Sequence, residues 1–157
     1  MRHLLTISIL LVLSLTACTA RASQPTPPEI HYGEDICTEC GMIISEPRFA
    51  GSYAIEQEPG RFESFIFDDI GDMLAHMHKN QTLKAVGWWV HDYTSEEWID
   101  ANSALYVMSD QIKTPMNHGI AAFSSESAAT TFAAGIGAKV FNWDELRIEN
   151  ALAEHNP

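Results

Sequence analysis

The sequence predicts an α+β fold in which two related β-β-α-β units pack as one compact domain. Apolar alternation typical of hairpin strands changes to helical spacing after Asp68-Asp69, and the same order of patterns returns around Ser124-Ser125. A repeated order of this kind indicates two structural units of common design. A third observation, the composition of the first residues, predicts an export leader ahead of the fold.

Residues 1–17 have the composition of a cleaved lipoprotein signal peptide. A basic start is followed by an apolar run from Leu4 to Leu15, which is too short to span a membrane. Residues 15–18, of sequence LTAC, resemble a bacterial lipobox, so we expect Cys18 to carry lipid and to begin the mature chain. Cleavage of an ordinary signal peptide after Ala22 is the alternative. The lipid would hold the chain on a bacterial membrane, by expectation the outer one, facing the periplasm.

Residues 18–35 are predicted to hold the lipidated cysteine and a flexible, proline-rich linker. The first β-β-α-β unit follows at residues 36–92. Its predicted strands are residues 49–55, 61–67 and 83–91, and Pro59-Gly60 supplies the turn between the first two. A helix begins after Asp68-Asp69, because aspartate is a favourable N-cap residue.

The second β-β-α-β unit is predicted at residues 93–145, with one helical turn at residues 95–98 in the connection. Its predicted strands are residues 104–107, 119–123 and 139–143, and a small-residue helix covers residues 128–135 behind a Ser124-Ser125 cap. Residues 146–157 are predicted to be a polar tail that forms a short, fraying helix.

Acidic residues dominate the charge of the chain. Twenty-one Asp and Glu stand against nine Lys and Arg, and the formal net charge is −12. Such a surface repels nucleic acid and anionic lipid headgroups, and it attracts cations and basic protein surfaces. No serine nucleophile elbow, paired catalytic carboxylates or phosphate-binding glycine loop is visible, so we expect a monomeric binding protein rather than an enzyme.

Cys37 and Cys40 remain once Cys18 is assigned to the anchor, and they stand in the run CTECGM, which ends at Met42. As a zinc site this run is half complete, because no second cysteine pair or spaced histidine pair is present. A disulfide would be expected in an oxidising compartment. A thioredoxin-like redox pair should open a helix after a strand, whereas this run follows a proline-rich segment. A soft-metal site is the third interpretation, because thiolate and thioether sulfur favour Cu(I).

Met116 and His118 are candidates for the remaining ligands of such a site. Pro115 fixes its own φ and favours an extended Thr114. If the extension continues, the thioether of Met116 and the imidazole of His118 project to the same side. Both groups suit Cu(I).

A rival cluster lies on the first predicted helix, where Met73, His76 and Met77 share one face and His78 is adjacent. Methionines at helical spacing usually pack in a core, and His76 can lie at the rim of that core. This cluster is therefore a second-site hypothesis.

Taken together, these motifs resemble the NosL family, the copper-binding accessory lipoproteins of nitrous oxide reductase maturation. The resemblance covers residues 37–143 and includes CGM, FDDIGDM, WVHD, WIDA and KTPMNHGIAAF. It implies the fold of two related units and a Cu(I) site with Cys40, Met116 and His118 as ligands. Met42 and Cys37 are further candidate ligands, and the role of Cys37 stays open.

The function implied by the resemblance is that of a periplasm-facing metallochaperone. It would deliver Cu(I) to a membrane maturation complex of the ATP-binding-cassette type or to the apo-reductase. A copper chaperone for another extracytoplasmic copper protein is one alternative. A membrane-tethered thiol–disulfide oxidoreductase using Cys37 and Cys40 is another, and a scaffold lipoprotein stapled by a Cys37–Cys40 bridge is a third.

Overall fold

Residues 24–155 are described by a computed structural model and form two antiparallel sheets with three α-helices. The predicted signal peptide and Cys18 lie outside this range. In chain order, after a short 3-10 helix at Pro47–Phe49, the elements are β1 (Gly51–Glu58), β2 (Arg61–Phe67), α1 (Ile70–Lys79), β3 (Ala85–His91), β4 (Trp98–Asp100), β5 (Leu105–Met108), β6 (Ile120–Phe123), α2 (Glu126–Ile136), β7 (Val140–Phe141) and α3 (Trp143–His155). Within the described range, no helix has both the length and the apolar composition needed to cross a membrane.

Strand order confirms the two predicted β-β-α-β units. The first sheet has the order β2-β1-β3-β4, and the second has the order β6-β5-β7. In each unit the first strand lies between its hairpin partner and the strand that follows the helix, and all of these pairs are antiparallel. The chain is therefore an α+β protein with an internal structural repeat.

The β1–β2 hairpin turns at Pro59-Gly60, as the sequence predicts. Gly60 has φ +71°, a left-handed conformation that glycine adopts without steric cost, and its N–H donates to Glu56 Oε1 at 2.8 Å. The first five residues of β1 are buried and its last three are exposed. The hairpin thus begins in the core and ends in solvent.

Two elements differ from the sequence prediction. Residues 95–98 are predicted to form one helical turn, but Trp98 begins β4, which pairs with β3. Trp143 is predicted to end the last strand, but it begins α3. The cause is a capping box in which Asn142 Oδ1 accepts from the Glu145 N–H at 3.0 Å and Glu145 Oε2 accepts from the Asn142 N–H at 2.9 Å.

The proline-rich segment predicted to be a flexible linker packs on the first sheet from Pro28 onward. Trp98 Nε1 donates to the Pro28 carbonyl at 3.1 Å, and the Tyr32 hydroxyl lies 2.9 Å from His91 Nε2. Ile30 is buried. The apolar and aromatic side chains that follow the prolines stabilise the fold by burying surface on the sheet.

The two units share one core. Tyr53 and Phe67 of the first unit, Tyr106 and Ile120 of the second, and Leu146 of α3 are fully buried in a single cluster. Burial of such large side chains is the main favourable contribution to folding. The shared cluster therefore fixes the two units against each other and sets the position of the loops between them.

Asp92 links the two sheets at their junction. It forms a parallel bridge with Ala122, and its carboxylate accepts hydrogen bonds from the backbone N–H groups of Thr94, Ser95 and Ser124. Burial would raise the pKa of Asp92, but these hydrogen bonds outweigh it and lower the pKa to about 2.

Candidate metal site

A short hairpin presents the two cysteines. Ile36 and Ile43 form an antiparallel bridge, and the Cys37 N–H donates to the Met42 carbonyl at 2.8 Å. Gly41 has φ +72°, a left-handed conformation that favours glycine, and its N–H donates to the Cys37 carbonyl at 3.0 Å. Cys37 is buried, whereas Cys40 is half-buried at the turn.

The hairpin is tied to the first sheet at Thr38. The Thr38 N–H donates to the Ile66 carbonyl at 2.8 Å, and the Ile66 N–H donates to Thr38 Oγ1 at 3.3 Å. Ile44, which follows the hairpin, is fully buried. The cysteine loop is therefore held in place by the protein before any ligand binds.

The N-terminus of α1 lies directly against the two thiols. Asp69 is the N-cap and accepts from the Gly71 N–H at 2.9 Å, and Asp72 follows three residues later in the first turn. One ligand atom each from Cys37, Cys40 and Asp72 lie within 4.8 Å of one another, and Cys37 Sγ donates to Asp72 Oδ2 at 3.3 Å.

The loop that carries Met116 and His118 joins the same helix terminus. Asp69 Oδ2 accepts from Thr114 Oγ1 at 2.5 Å and from the Met116 N–H at 3.2 Å. His118 Nε2 lies 3.1 Å from Asp72 Oδ1. Asp69 and Asp72 thus fasten the second unit's loop to the first unit's helix.

Residues 114–117 of this loop form a turn, so the extension that would place Met116 and His118 on one side does not continue to Asn117. The Asn117 N–H donates to the Thr114 carbonyl at 3.0 Å, and Asn117 has φ +62°. Asparagine tolerates this left-handed conformation better than most residues. The restriction that Pro115 places on Thr114 does not extend to Asn117, so Met116 and His118 are not related by strand alternation.

Gly71 gives His118 the space that it occupies. A Cβ atom at position 71 would lie 2.1 Å from His118 Cγ and 2.4 Å from His118 Cβ, far inside contact distance. A glycine within the first turn of a helix costs stability relative to alanine. Here that cost is offset because the imidazole packs directly on the helix backbone.

Burial and the neighbouring acid set the protonation of the site. Burial raises the pKa of Cys40 to about 12, and Cys37 and Asp72 add to the rise. Burial would also raise the pKa of Asp72, but hydrogen bonds from His118, Cys40 and Cys37 outweigh it and leave that pKa lowered. An ionised Asp72 can only accept, so His118 Nε2 donates the proton of their hydrogen bond, and whenever the ring is neutral its lone pair lies on Nδ1.

Of the predicted ligands, the structure brings Cys37, Cys40 and His118 together and leaves Met42 mostly exposed. Cys37, Cys40 and His118 converge on Asp72, and Met116 is attached to the same helix terminus through its backbone N–H. The side chain of Met42 is 55% exposed beside the site. The ligand set itself remains a prediction.

Sequence reasoning identified Asp69 only as a helix cap and did not single out Asp72. Their links to Thr114 and His118 join residues about 45 positions apart in the chain, so no local pattern shows them. One signal was available for Asp72. It occupies the third helical position, where a capping box has Glu or Gln, and its shorter carboxylate side chain accepts from Cys37 instead.

The rival cluster on α1 consists mainly of core residues. Met73 is fully buried, and Met77 packs against the same core cluster. His76 Nδ1 lies 2.7 Å from the Tyr53 hydroxyl, and burial lowers the pKa of His76. These contacts give Met73 and His76 packing roles that require no metal.

Comparison with known proteins gives one consistent result. The family model described as NosL matches residues 29–151. The copper-binding lipoprotein NosL of Stutzerimonas stutzeri is 26% identical over 163 residues, an alignment that covers 89% of this chain and 77% of that protein. The crystal structure of the copper chaperone NosL from Shewanella denitrificans superposes with a TM-score of 0.65 at 20% identity, covering 77% of this chain and 96% of the other.

Proposed function

Because the chain belongs to the NosL family, we propose that it is a Cu(I)-binding metallochaperone lipoprotein that faces the periplasm. It would deliver copper for the maturation of nitrous oxide reductase, through a membrane complex of the ATP-binding-cassette type or directly to the apo-reductase. The observation that supports this proposal best is the convergence of two thiols and an imidazole at one helix terminus. Soft sulfur and imidazole donors favour Cu(I) over hard cations.

The proposed ligands are Cys40, Met116 and His118. Asp72 would orient His118 rather than bind copper, because a carboxylate is a hard donor and is already hydrogen-bonded to Nε2. The half-buried position of Cys40 leaves one side of the site open to a recipient's ligand. Copper could then pass by ligand exchange and would never be released as a free ion.

Copper binding must release the proton of Cys40, because the thiolate is the ligand. Since the pKa of Cys40 is raised, the metal-free site holds this proton at neutral pH. The Cu(I) affinity should therefore fall as the pH falls, and this can be measured by chelator competition at a series of pH values.

The oxidoreductase alternative is less consistent with the geometry. A catalytic thiol needs a lowered pKa and access to its substrate. Here Cys37 is buried, and the pKa of Cys40 is raised to about 12. Replacement of Cys37 by Ser separates the two functions, because an oxidoreductase needs both thiols, whereas the chaperone should keep its Cu(I) site.

The deciding experiment is titration with Cu(I) against a competing chelator. Relative to wild type, Met116→Ala/His118→Ala should bind Cu(I) more than about 100-fold less tightly. Removing two ligands should cost more affinity than removing one residue that only supports a ligand. Met77→Leu/His78→Gln, which removes the same two side-chain types from α1, should bind as wild type does. Unchanged affinity in Met116→Ala/His118→Ala would contradict the proposed ligands.

The target and the anchor need separate tests. In a strain lacking this chain, nitrous oxide reductase should be purified with less copper, whereas a normal copper content would favour another extracytoplasmic copper protein as recipient. Labelling of the chain with radioactive palmitate should be lost in Cys18→Ala. Retention of the label there would place the lipid on another residue.

A further inference from the structure

Exposed apolar side chains are concentrated on the hairpin that holds the cysteines. Among the described residues, the large hydrophobic side chains counted as exposed are Ile36, Met42, Ile43, Val86 and Ile148. Three of these five lie on the hairpin, with exposed fractions of 53% for Ile36, 55% for Met42 and 51% for Ile43. Single exposed hydrophobic residues are ordinary, but a group of them marks an interaction surface.

The side chains of Ile36 and Ile43 face outward from the hairpin. Ile36 and Ile43 are bridge partners, and the next residue after each, Cys37 and Ile44, is buried. Side chains alternate between the two faces of a strand, and bridge partners share a face. The outer face of the metal-binding hairpin is therefore apolar, where a solvent-facing strand pair would ordinarily be polar.

Acidic residues predominate in the stretch of chain that contains this face. No Lys or Arg occurs between Arg21 and Arg48, and two acidic residues of this stretch are paired with cations outside it, Glu39 with Lys79 and Glu46 with Arg48. The acidic residues of the same stretch are Glu29, Glu34, Asp35, Glu39 and Glu46. Such a surface repels anionic lipid headgroups, and it also repels an identical surface on a second copy. It attracts a protein surface rich in Lys and Arg.

We propose that Ile36 and Ile43 form the docking surface for a protein that exchanges Cu(I) with this chain, and that the partner presents an apolar patch flanked by Lys and Arg. This inference rests on the proposed function and adds to it the chemistry of the partner. Docking on the outer face would place the partner against the hairpin whose turn carries the half-buried Cys40.

Photo-crosslinking in the native host tests the proposal with the full chain. Benzoylphenylalanine at position 36 or 43 should form a protein adduct, and the same group at position 86 or 148 should not. The adduct yield should fall at least about fivefold in Glu34→Lys/Asp35→Lys, because the attraction would become repulsion. Mass spectrometry should place the contact beside Lys or Arg of the partner. Equal adducts at all four positions, adducts to phospholipid, or adducts only between copies of this chain would overturn the proposal.

A second measurement separates docking from copper binding. Ile36→Ser/Ile43→Ser should keep its Cu(I) affinity within about twofold, because both side chains face away from the thiols, yet it should transfer copper about tenfold less effectively to the crosslinked partner. The matched control is Val86→Ser/Ile148→Ser, which should transfer copper as wild type does. If wild type failed to bind Cu(I) but position-specific adducts persisted, the proposed cargo would be wrong and the docking surface would stand. Normal Cu(I) binding without such adducts would overturn the docking surface alone.

Discussion

The N-termini of α1 and α2 occupy matching positions in the two units but make different contacts. Asp69 caps α1, and Ser125 caps α2 by accepting from the Ala128 N–H at 3.4 Å. The second carboxylate oxygen of Asp69 also binds Thr114 of the other unit. Ser125 is exposed, and its hydroxyl contact is within its own helix.

The next positions of the two helices differ in the same sense. Gly71 matches Ser127, and Asp72 matches Ala128. The first unit therefore has space and a carboxylate where the second unit has the side chains of a serine and an alanine. The repeated fold supplies two equivalent helix termini, but only the terminus with two carboxylates and a glycine can hold both loops. Side chains rather than topology therefore make the site asymmetric.

The largest expected effect comes from removing the two caps in turn. Asp69→Ala should lower the free energy of unfolding by about 3 kcal/mol, because it removes a cap and leaves the buried Thr114 hydroxyl and Met116 N–H without their acceptor. Ser125→Ala should cost about 1 kcal/mol or less, because only an exposed cap is lost. Urea unfolding of both variants measures the difference. Equal losses would show that Asp69 acts only as a cap.

The next largest effect is the pH-dependent contribution of Asp92, at the junction between the two units, to the free energy of unfolding. The folded pKa of Asp92, about 2, lies below its usual value of 3.8. The ionised carboxylate should therefore contribute about 2 kcal/mol that is fully present above about pH 4 and is lost as the pH falls through about 2. Asp92→Asn should remove this contribution, so its stability should be lower at neutral pH and should vary less between pH 4 and pH 2.

The measurement for Asp92 is urea unfolding across that pH range. Asp110→Asn, at an exposed position on the turn after β5, is the control and should follow the wild-type profile. If wild type and Asp92→Asn lost stability in parallel on acidification, the carboxylate would not be responsible for the pH dependence.

A smaller effect is expected from placing alanine at the matching position of each helix. In Gly71→Ala the new Cβ would overlap His118, so the loop must move and the Cu(I) affinity should fall about tenfold. Ser127→Ala, at the matching position of α2, should leave the affinity unchanged. Chelator competition compares the two variants. A Gly71→Ala variant that bound copper normally would show that His118 can bind from a displaced position.

The sequence was sufficient for the elements that depend on local patterns. The bounds of β2, the cap at Asp69 and the turn at Pro59-Gly60 follow from alternation, capping and glycine conformation, and all three are present. β4 was missed because a three-residue strand exists only through its pairing with β3. The role of Asp72 was missed because its partners, Cys37 and His118, are distant in the chain and approach only after the two units pack.

The smallest effect should come from replacing His76, one of the two histidines of α1, which lies outside the metal-binding loops. His76→Gln should change the Cu(I) affinity less than about twofold, whereas His118→Gln should reduce it by about tenfold or more. The reason is that His76 Nδ1 lies 2.7 Å from the Tyr53 hydroxyl and its half-buried ring packs against Tyr53 and Phe67, at the edge of the first unit's core. Its replacement should instead lower the free energy of unfolding by about 1 kcal/mol, the contribution of one hydrogen bond. Chelator competition and urea unfolding on the two variants give both numbers. A tenfold loss of affinity in His76→Gln would show that α1 carries a copper site of its own, and the contrast between a structural helix face and a functional helix terminus would fail.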